Sequence, residues 1–258
     1  MVDITFIRER CVKCGLCVKT CAMGHLRMTE DGPSADGRGG CMGCLQCAAV
    51  CPRQAVLADG RPAVVPRPDD PVEALVMARR SVRHFKPEAP DRALIEWALQ
   101  RAGYAPSGKN RHANRWTVVY GRERTEAVRQ RALRHCRETG EAPELVRFAE
   151  KGLDLLTCGA PVIVIGWSPD DCLNPCVDTA IAMELADLLL VSRGVGTCWG
   201  GYLRQIAGHC PELKAMLGIP EGCSMQCCLM AGWPDGARFP NLPVRPAPDI
   251  FWALDGGR

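Results

Sequence analysis

The chain has 258 residues, 47% apolar and 24% charged, which suffices for one substantial core or two unequal ones and excludes a disordered chain. Its 32 basic and 29 acidic residues leave a net charge of +3 spread along the sequence, so no basic tail or stripe points to nucleic acid. No run reaches the roughly 20 apolar residues of a spanning helix, and the opening MVDITFIRERC lacks a signal-peptide core, so a cytoplasmic protein without a membrane partner is expected.

Seventeen cysteines stand out. Four lie in CVKCGLCVKTC (Cys11, Cys14, Cys17, Cys21) and four in CMGCLQCAAVCP (Cys41, Cys44, Cys47, Cys51). Clustered cysteines in a reducing compartment bind metal more often than they pair as disulfides. Both runs have the spacing C-x2-C-x2-C-x3-C, in which the fourth cysteine ligates the other cluster. Two 4Fe-4S clusters are therefore expected, one on Cys11, Cys14, Cys17 and Cys51, the other on Cys41, Cys44, Cys47 and Cys21. A pair of zinc knuckles is the competing reading, and zinc sites usually use two separated cysteine pairs. Residues 1–57 resemble a two-cluster bacterial ferredoxin. With little apolar periodicity, this segment is expected to lack a conventional core and to be held by its clusters.

Residues 58–71, ADGRPAVVPRPDDP, carry four prolines and read as an extended linker. From there to residue 258 the pattern is that of an α+β domain. PVEALVMARRSV is predicted as a helix capped by Asp70, and DRALIEWALQRAGYAP as a second, with Leu94, Ala98 and Leu99 on one face and its end near Gly103. RWTVVYG reads as a strand and EAVRQRALRHCRE as an amphipathic helix. APVIVIGW is a strand buried on both faces, VDTAIAMELADLLLVSRG a long apolar helix ending at Gly194, and CSMQCCLMAGW a further strand.

Four segments of this second domain together resemble the nitroreductase family of FMN enzymes. RRSVRHF matches the family's R-x-S-x-R opening. APSGKNRHANRW matches P-S-x-x-N, with His112 and Ala113 where the family has Gln and Pro. RGVGTCWGGYL follows the apolar helix, with Gly194 and Gly196 expected to end it, and AGWPDGARFPNLPVRPAPDIFW resembles the tail of ferredoxin-fused members. The resemblance implies a central mixed sheet flanked by helices. It also implies that Arg79, Arg80, Ser81 and Arg83 hold the FMN phosphate, ribityl chain and pyrimidine edge, since a flavin needs cations at both ends. Pro106, Ser107 and Asn110, then Trp199, Gly200 and Gly201, would line the ring, and Arg245 would add a phosphate contact. His112 is the one candidate proton donor. Each segment alone has a plainer reading: a solvated basic helix end, a Pro-Ser-Gly turn, a packed Trp199 and a packed Cys198 thiol.

The family resemblance further implies a homodimer with FMN at the interface, Pro106 and Ser107 reaching it from the partner subunit. No Gly-rich dinucleotide fingerprint follows a strand. The expected activity is thus an FMN-dependent oxidoreductase that draws electrons from a ferredoxin- or flavodoxin-type donor through both clusters and reduces a small acceptor such as a nitroaromatic, quinone or activated alkene. The alternatives are an electron-transfer or redox-sensing subunit acting on a partner protein, and a member doing specialised flavin chemistry, for which Glu123 to Glu150 is the one candidate lid. The nine cysteines outside the runs read as buried thiols, with a third metal site around Cys172 and Cys176 as the alternative.

Overall fold

Short hydrogen-bonded loops around the cysteine runs, rather than long elements, organise the N-terminal part of the chain. In the computed structural model, which describes residues 2–35, 39–235 and 239–253, the chain forms two compact units, one running to Asp69 and including the C-terminal tail, the other beginning at Asp70.

The first unit contains β1 (Ile4–Phe6), α1 (Leu16–Lys19), β2 (Leu26–Thr29), β3 (Gly32–Ala35), α2 (Gln46–Val50), β4 (Val56–Ala58), β5 (Arg61–Pro62) and β6 (Val64–Val65). β1 pairs antiparallel with β4, Ile4 opposite Ala58 and Phe6 opposite Val56, and β2 pairs with β3 in the same sense. Helices of four or five residues cannot stand alone in water. They are fixed by packing: Ile4, Leu26, Leu45, Ala48, Val50 and Val56 are buried together with Cys17 and Cys47. A small apolar core therefore does form, contrary to the expectation from periodicity, because its members are contributed singly by separate loops and cysteine itself packs as a small hydrophobe.

The second unit comprises α3 (Pro71–Ala78), α4 (Arg92–Ala102), β7 (Arg115–Tyr120), α5 (Arg122–Thr139), α6 (Pro143–Glu150), β8 (Val162–Pro169), α7 (Pro175–Ser192), β9 (Gly196–Trp199), α8 (Gly201–His209), α9 (Pro211–Met216) and β10 (Cys223–Gly232). Asp70 caps α3, its carboxylate accepting from Glu73 N at 2.7 Å. The sheet runs β7-β8-β10-β9 with antiparallel pairing, and a bridge between Ser81 and Thr197 supplies the parallel component of the mixed sheet. Val162 to Ile165 are fully buried. On one face, Val162, Val164 and Leu229 pack against Ile95 and Ala98 of α4 and Met183 and Leu190 of α7; α5 and α8 also pack on the sheet. The predicted helices and strands are present. β9, α8 and α9 were not anticipated, because the glycine-rich RGVGTCWGGYL has no period and becomes a strand only by pairing with β10, Leu229 opposite Trp199. The stretch 123–150 is α5 and α6, with Val128, Ala132, Leu133 and Leu145 buried. No helix among the described residues is long and apolar enough to cross a membrane.

The tail departs from the expected 72–258 domain. β11 (Leu242–Pro243) pairs with β6, Leu242 opposite Val65 and Pro243 opposite Val64, so residues 58–71 are not a bare linker and the tail belongs to the first unit. Asn241 fastens it: its side-chain amide donates to Ala48 O (3.1 Å) and Cys51 O (2.7 Å), and its N–H to Ala49 O (3.2 Å). Ala48 O and Cys51 O also accept from Cys51 N and Gln54 N, so the tail adds a second bond to each and one to Ala49 O, at the end of α2 where helical donors run out. Residues 236–238, part of the segment matched to ferredoxin-fused members, lie outside the described residues.

Candidate cofactor sites

The two cysteine runs adopt the same backbone. Lys13 (φ 53°) and Gly43 (φ 66°) precede the second cysteine of each run, Gly15 (φ 76°) and Leu45 (φ 54°) follow it, and Gly24 (φ 61°) and Gln54 (φ 47°) follow the fourth, all left-handed. Repeated left-handed turns swing successive thiols to one side and aim backbone N–H groups at sulfur: Gly43 N lies 3.4 Å from Cys41 Sγ and Ala55 N 3.3 Å from Cys51 Sγ. The result is two cavities. Cys11, Cys14, Cys17 and Cys51 line one, and Cys21, Cys41, Cys44 and Cys47 line the other. The fourth cysteine of each run has crossed to the other cavity, as the spacing implied. Among the described residues no three His, Cys, Asp or Glu side chains converge on a single-ion site; the sulfurs instead ring a cavity, which suits a polynuclear cluster. Burial pushes Cys17 up to about 11 and Cys47 up to about 12, the neighbouring thiolates adding to the rise. Such thiols ionise at neutral pH only against a compensating metal charge.

In the second unit, three of the four flavin segments come together: the tail segment begins in β10, with Ala231 opposite Thr197 of β9, and Pro234 bridges Phe85. Val82 N donates to Thr197 O at 2.7 Å, which lays the RRSVR segment along β9. Asp187 of α7, fully buried, accepts from Thr197 Oγ1 (2.5 Å), Trp199 Nε1 (3.0 Å) and Arg79 Nη1 (3.5 Å). It thereby ties Arg79 and Trp199 to one carboxylate. Arg79 also faces Glu184 at 3.8 Å, whose carboxyl is raised by burial and by the charge of Asp187. Arg80 turns inward, its Nε donating to Ala78 O at 3.0 Å. Arg83 carries a buried Nη1 without a hydrogen-bond partner among the described residues. Gly200 packs against Cys228, where a Cβ would stand 2.8 Å from the sulfur, whereas a Cβ at Gly201 would meet nothing. A buried guanidinium N–H without a partner among the described residues, on the segment that pairs with β9, fits an anionic, hydrogen-bonding group such as FMN.

The APSGKNRHANRW segment is anchored elsewhere. Pro106 and Asn110 are exposed and Ser107 is half-buried, in a loop held by Gly108 N donating to Asp178 Oδ2 at 2.9 Å. Asp178 and Asp187 are nine residues apart on α7, so at 1.5 Å per residue the loop is anchored about 13 Å along the helix from the Arg79 cluster. His112 is exposed, with Nε2 2.7 Å from Asn110 Oδ1 and its N–H on Ser107 Oγ (2.9 Å). Arg245 lies in the first unit, its Nη1 donating to Cys44 O at 3.3 Å.

Sequence reasoning passed over a thiol pair at this site. Asp154 accepts from Leu156 N, Thr157 N and Gly159 N, and these bonds with Thr157 Oγ1 and Arg129 lower its carboxyl despite a burial cost that acts the other way. The loop so pinned holds Cys158 left-handed (φ 53°) against Cys198. A hydrogen bond from Cys158, then the charge of Arg83 and a contact from Ser81, lower Cys198, while Cys158 is pushed up. Cys227 is driven up to about 12 by burial, and Cys228 higher still.

The family model described as the nitroreductase family matches residues 76–233, and one described as a 4Fe-4S dicluster domain matches residues 10–56. Among solved structures, the chain is similar to an FMN-bound nitroreductase from Desulfitobacterium hafniense DCB-2, with 26% identity, a TM-score of 0.57, and coverage of 69% of this chain and 95% of that one. It is also similar to an FMN and NADPH-dependent nitroreductase from Sphigopyxis sp. strain HMH, at 25% identity, TM-score 0.56 and coverage of 69% and 97%. An FMN-bound nitroreductase from Bacteroides fragilis, at 23% identity, TM-score 0.56 and coverage of 72% and 97%, shares the fold. No curated protein matches the chain.

Proposed function

Because the chain belongs to the nitroreductase family and carries a 4Fe-4S dicluster domain, we propose that this FMN oxidoreductase takes its electrons through two 4Fe-4S clusters and passes them to a small acceptor such as a nitroaromatic, quinone or activated alkene. The observation that carries this reading is the sorting of eight cysteines into two four-cysteine cavities within a flavin-family chain. A cluster pair carried on the same chain as a flavin unit gives a route for single electrons from a low-potential ferredoxin or flavodoxin.

Bound FMN supplies the conversion between one-electron delivery and two-electron reduction of the acceptor. The chain's own residues do the holding. Arg79, fixed by Asp187, and Arg83, with its unpartnered buried N–H, provide positive charge; Ser81 and the β9 edge through Trp199, Gly200 and Gly201 provide hydrogen bonds and close backbone approach. Pro106, Ser107 and Asn110 reach the flavin of a second protomer in this reading. Two observations support such a homodimer: the separation of the two anchor points on α7, and the exposed apolar side chains Leu173, Val177 and Ile181 at the start of that helix.

The test is anaerobic purification followed by iron, sulfide and flavin analysis and reduction by a reduced ferredoxin. The proposal expects about eight irons and one FMN per chain, bleaching together with reduced ferredoxin and slowly or not at all with NADPH. FMN that bleaches with NADPH alone, the clusters staying oxidised, would overturn the proposed electron route.

A further inference from the structure

The near-identical backbones of the two cysteine runs make any difference in side chains around the two cavities informative. After the fourth cysteine of the first run comes Ala22-Met23-Gly24-His25; after that of the second comes Pro52-Arg53-Gln54-Ala55. His25 and Ala55 are therefore equivalent positions, and each lines its cavity. Ala55 offers only its backbone N–H, already on Cys51 Sγ. His25 offers an imidazole that is 8% exposed and lines the cavity of Cys21, Cys41, Cys44 and Cys47, with a buried Nδ1 that has no hydrogen-bond partner among the described residues.

A buried ring nitrogen without a partner is costly, and the cavity it lines is one that a sulfur-rich, anionic group would fill. We propose that the His25 ring donates a hydrogen bond to the sulfur shell of the cluster held by Cys21, Cys41, Cys44 and Cys47, making it the higher-potential member of the pair. The physical reason is that reduction adds negative charge to a cluster, and an N–H donor stabilises that charge more than it stabilises the oxidised state. Fixed charges do not create the same asymmetry, since Lys13 and Arg53 line the first cavity while Arg245 donates to Cys44 O beside the second. With the histidine in place an electron entering the pair rests on the second cluster, which sets a direction along the wire. This inference rests on the two-cluster reading.

The experiment is an anaerobic reductive titration of the full-length holoprotein followed by electron paramagnetic resonance, on the wild type and on His25→Ala and His25→Gln, with iron counted first. Wild type with clearly fewer than eight irons overturns the two-cluster reading itself, before any potential is measured. With the iron intact, His25→Ala is expected to shift the distribution of the first electron by about tenfold toward the other cluster, about 59 mV for a one-electron couple, and His25→Gln, which keeps an N–H donor, to restore most of it. Unchanged potentials, or equal shifts of both clusters, overturn the proposal. Because His25→Ala can lose the cluster altogether, pulsed resonance on wild type carrying 15N-histidine gives an independent readout: a nitrogen coupling to the cluster's spin is expected, and its absence overturns the proposal.

Discussion

A single carboxylate does most to shape the flavin site. Asp187 is fully buried and its neighbours Arg79, Thr197 and Trp199 all rely on it; removing one partner of such a set leaves the others uncompensated. Asp187→Ala is therefore expected to destabilise the second unit by about 3 kcal/mol and to release FMN, read by denaturation and by the fluorescence of free flavin. Arg83→Ala should leave stability nearly unchanged yet weaken FMN binding at least about tenfold, the scale of one lost hydrogen bond to a charged group. The thiol pair gives a pH signature. In the folded chain Cys158 lowers Cys198 below the ordinary thiol value, so just below that value the unfolded chain holds a proton the folded chain has released, and stability rises with pH. The rise is at most about 1.4 kcal/mol per pH unit, is lost as the pH falls through the folded value of Cys198, and is opposed above the ordinary thiol value as Cys158, held protonated in the fold, ionises only on unfolding. Cys158→Ala should flatten it. Urea unfolding followed by the tryptophans of the second unit, from about pH 6 to 9, measures the slope; an equal slope in both proteins would show the thiols to be uncoupled.

At the scale of elements, stability divides between packing and stitching. Leu229 of β10 is fully buried between α4 and α7 on the sheet face, so Leu229→Ala should cost about 3 kcal/mol, visible as a lower urea midpoint. Asn241 adds side-chain hydrogen bonds to the end of α2 at Ala48 O and Cys51 O. Asn241→Ala is expected to lower the thermal stability of cluster absorbance, by about 1 to 3 kcal/mol for the two lost side-chain hydrogen bonds, while the flavin absorbance persists to the wild-type temperature. The helices and long strands were legible because α4, α7 and β8 announce themselves by period or by unbroken apolar runs. β9 and β11 were not, since a four-residue strand and a two-residue strand carry no period and exist only against β10 and β6.

For the whole molecule, the tail gives the sharpest test of how the units are built. A chain ending at residue 235 retains every described residue of the second unit but loses β11 and Asn241 from the first. It should bind FMN at the wild-type level while holding iron poorly, measured as iron and flavin per chain after anaerobic purification. Loss of both cofactors together would show that the tail also supports the second unit.

The sequence by itself determined how the cysteines group. Eight cysteines at fixed spacing specify which four meet, because short spacers leave each run only three thiols on one side and send the fourth across. It also marked Arg79, Ser81, Arg83 and Trp199, which the fold gathers around β9. Only the tertiary structure decided the rest. Asp187, Cys158 and His25 are ordinary residues in sequence, and each matters through what the fold sets beside it: Trp199 and Arg79, Cys198, and a cluster cavity. The tail's place was likewise invisible in sequence: it pairs with β6 and sets Arg245 on Cys44 O, because backbone pairing settles where an aperiodic, proline-rich segment lies.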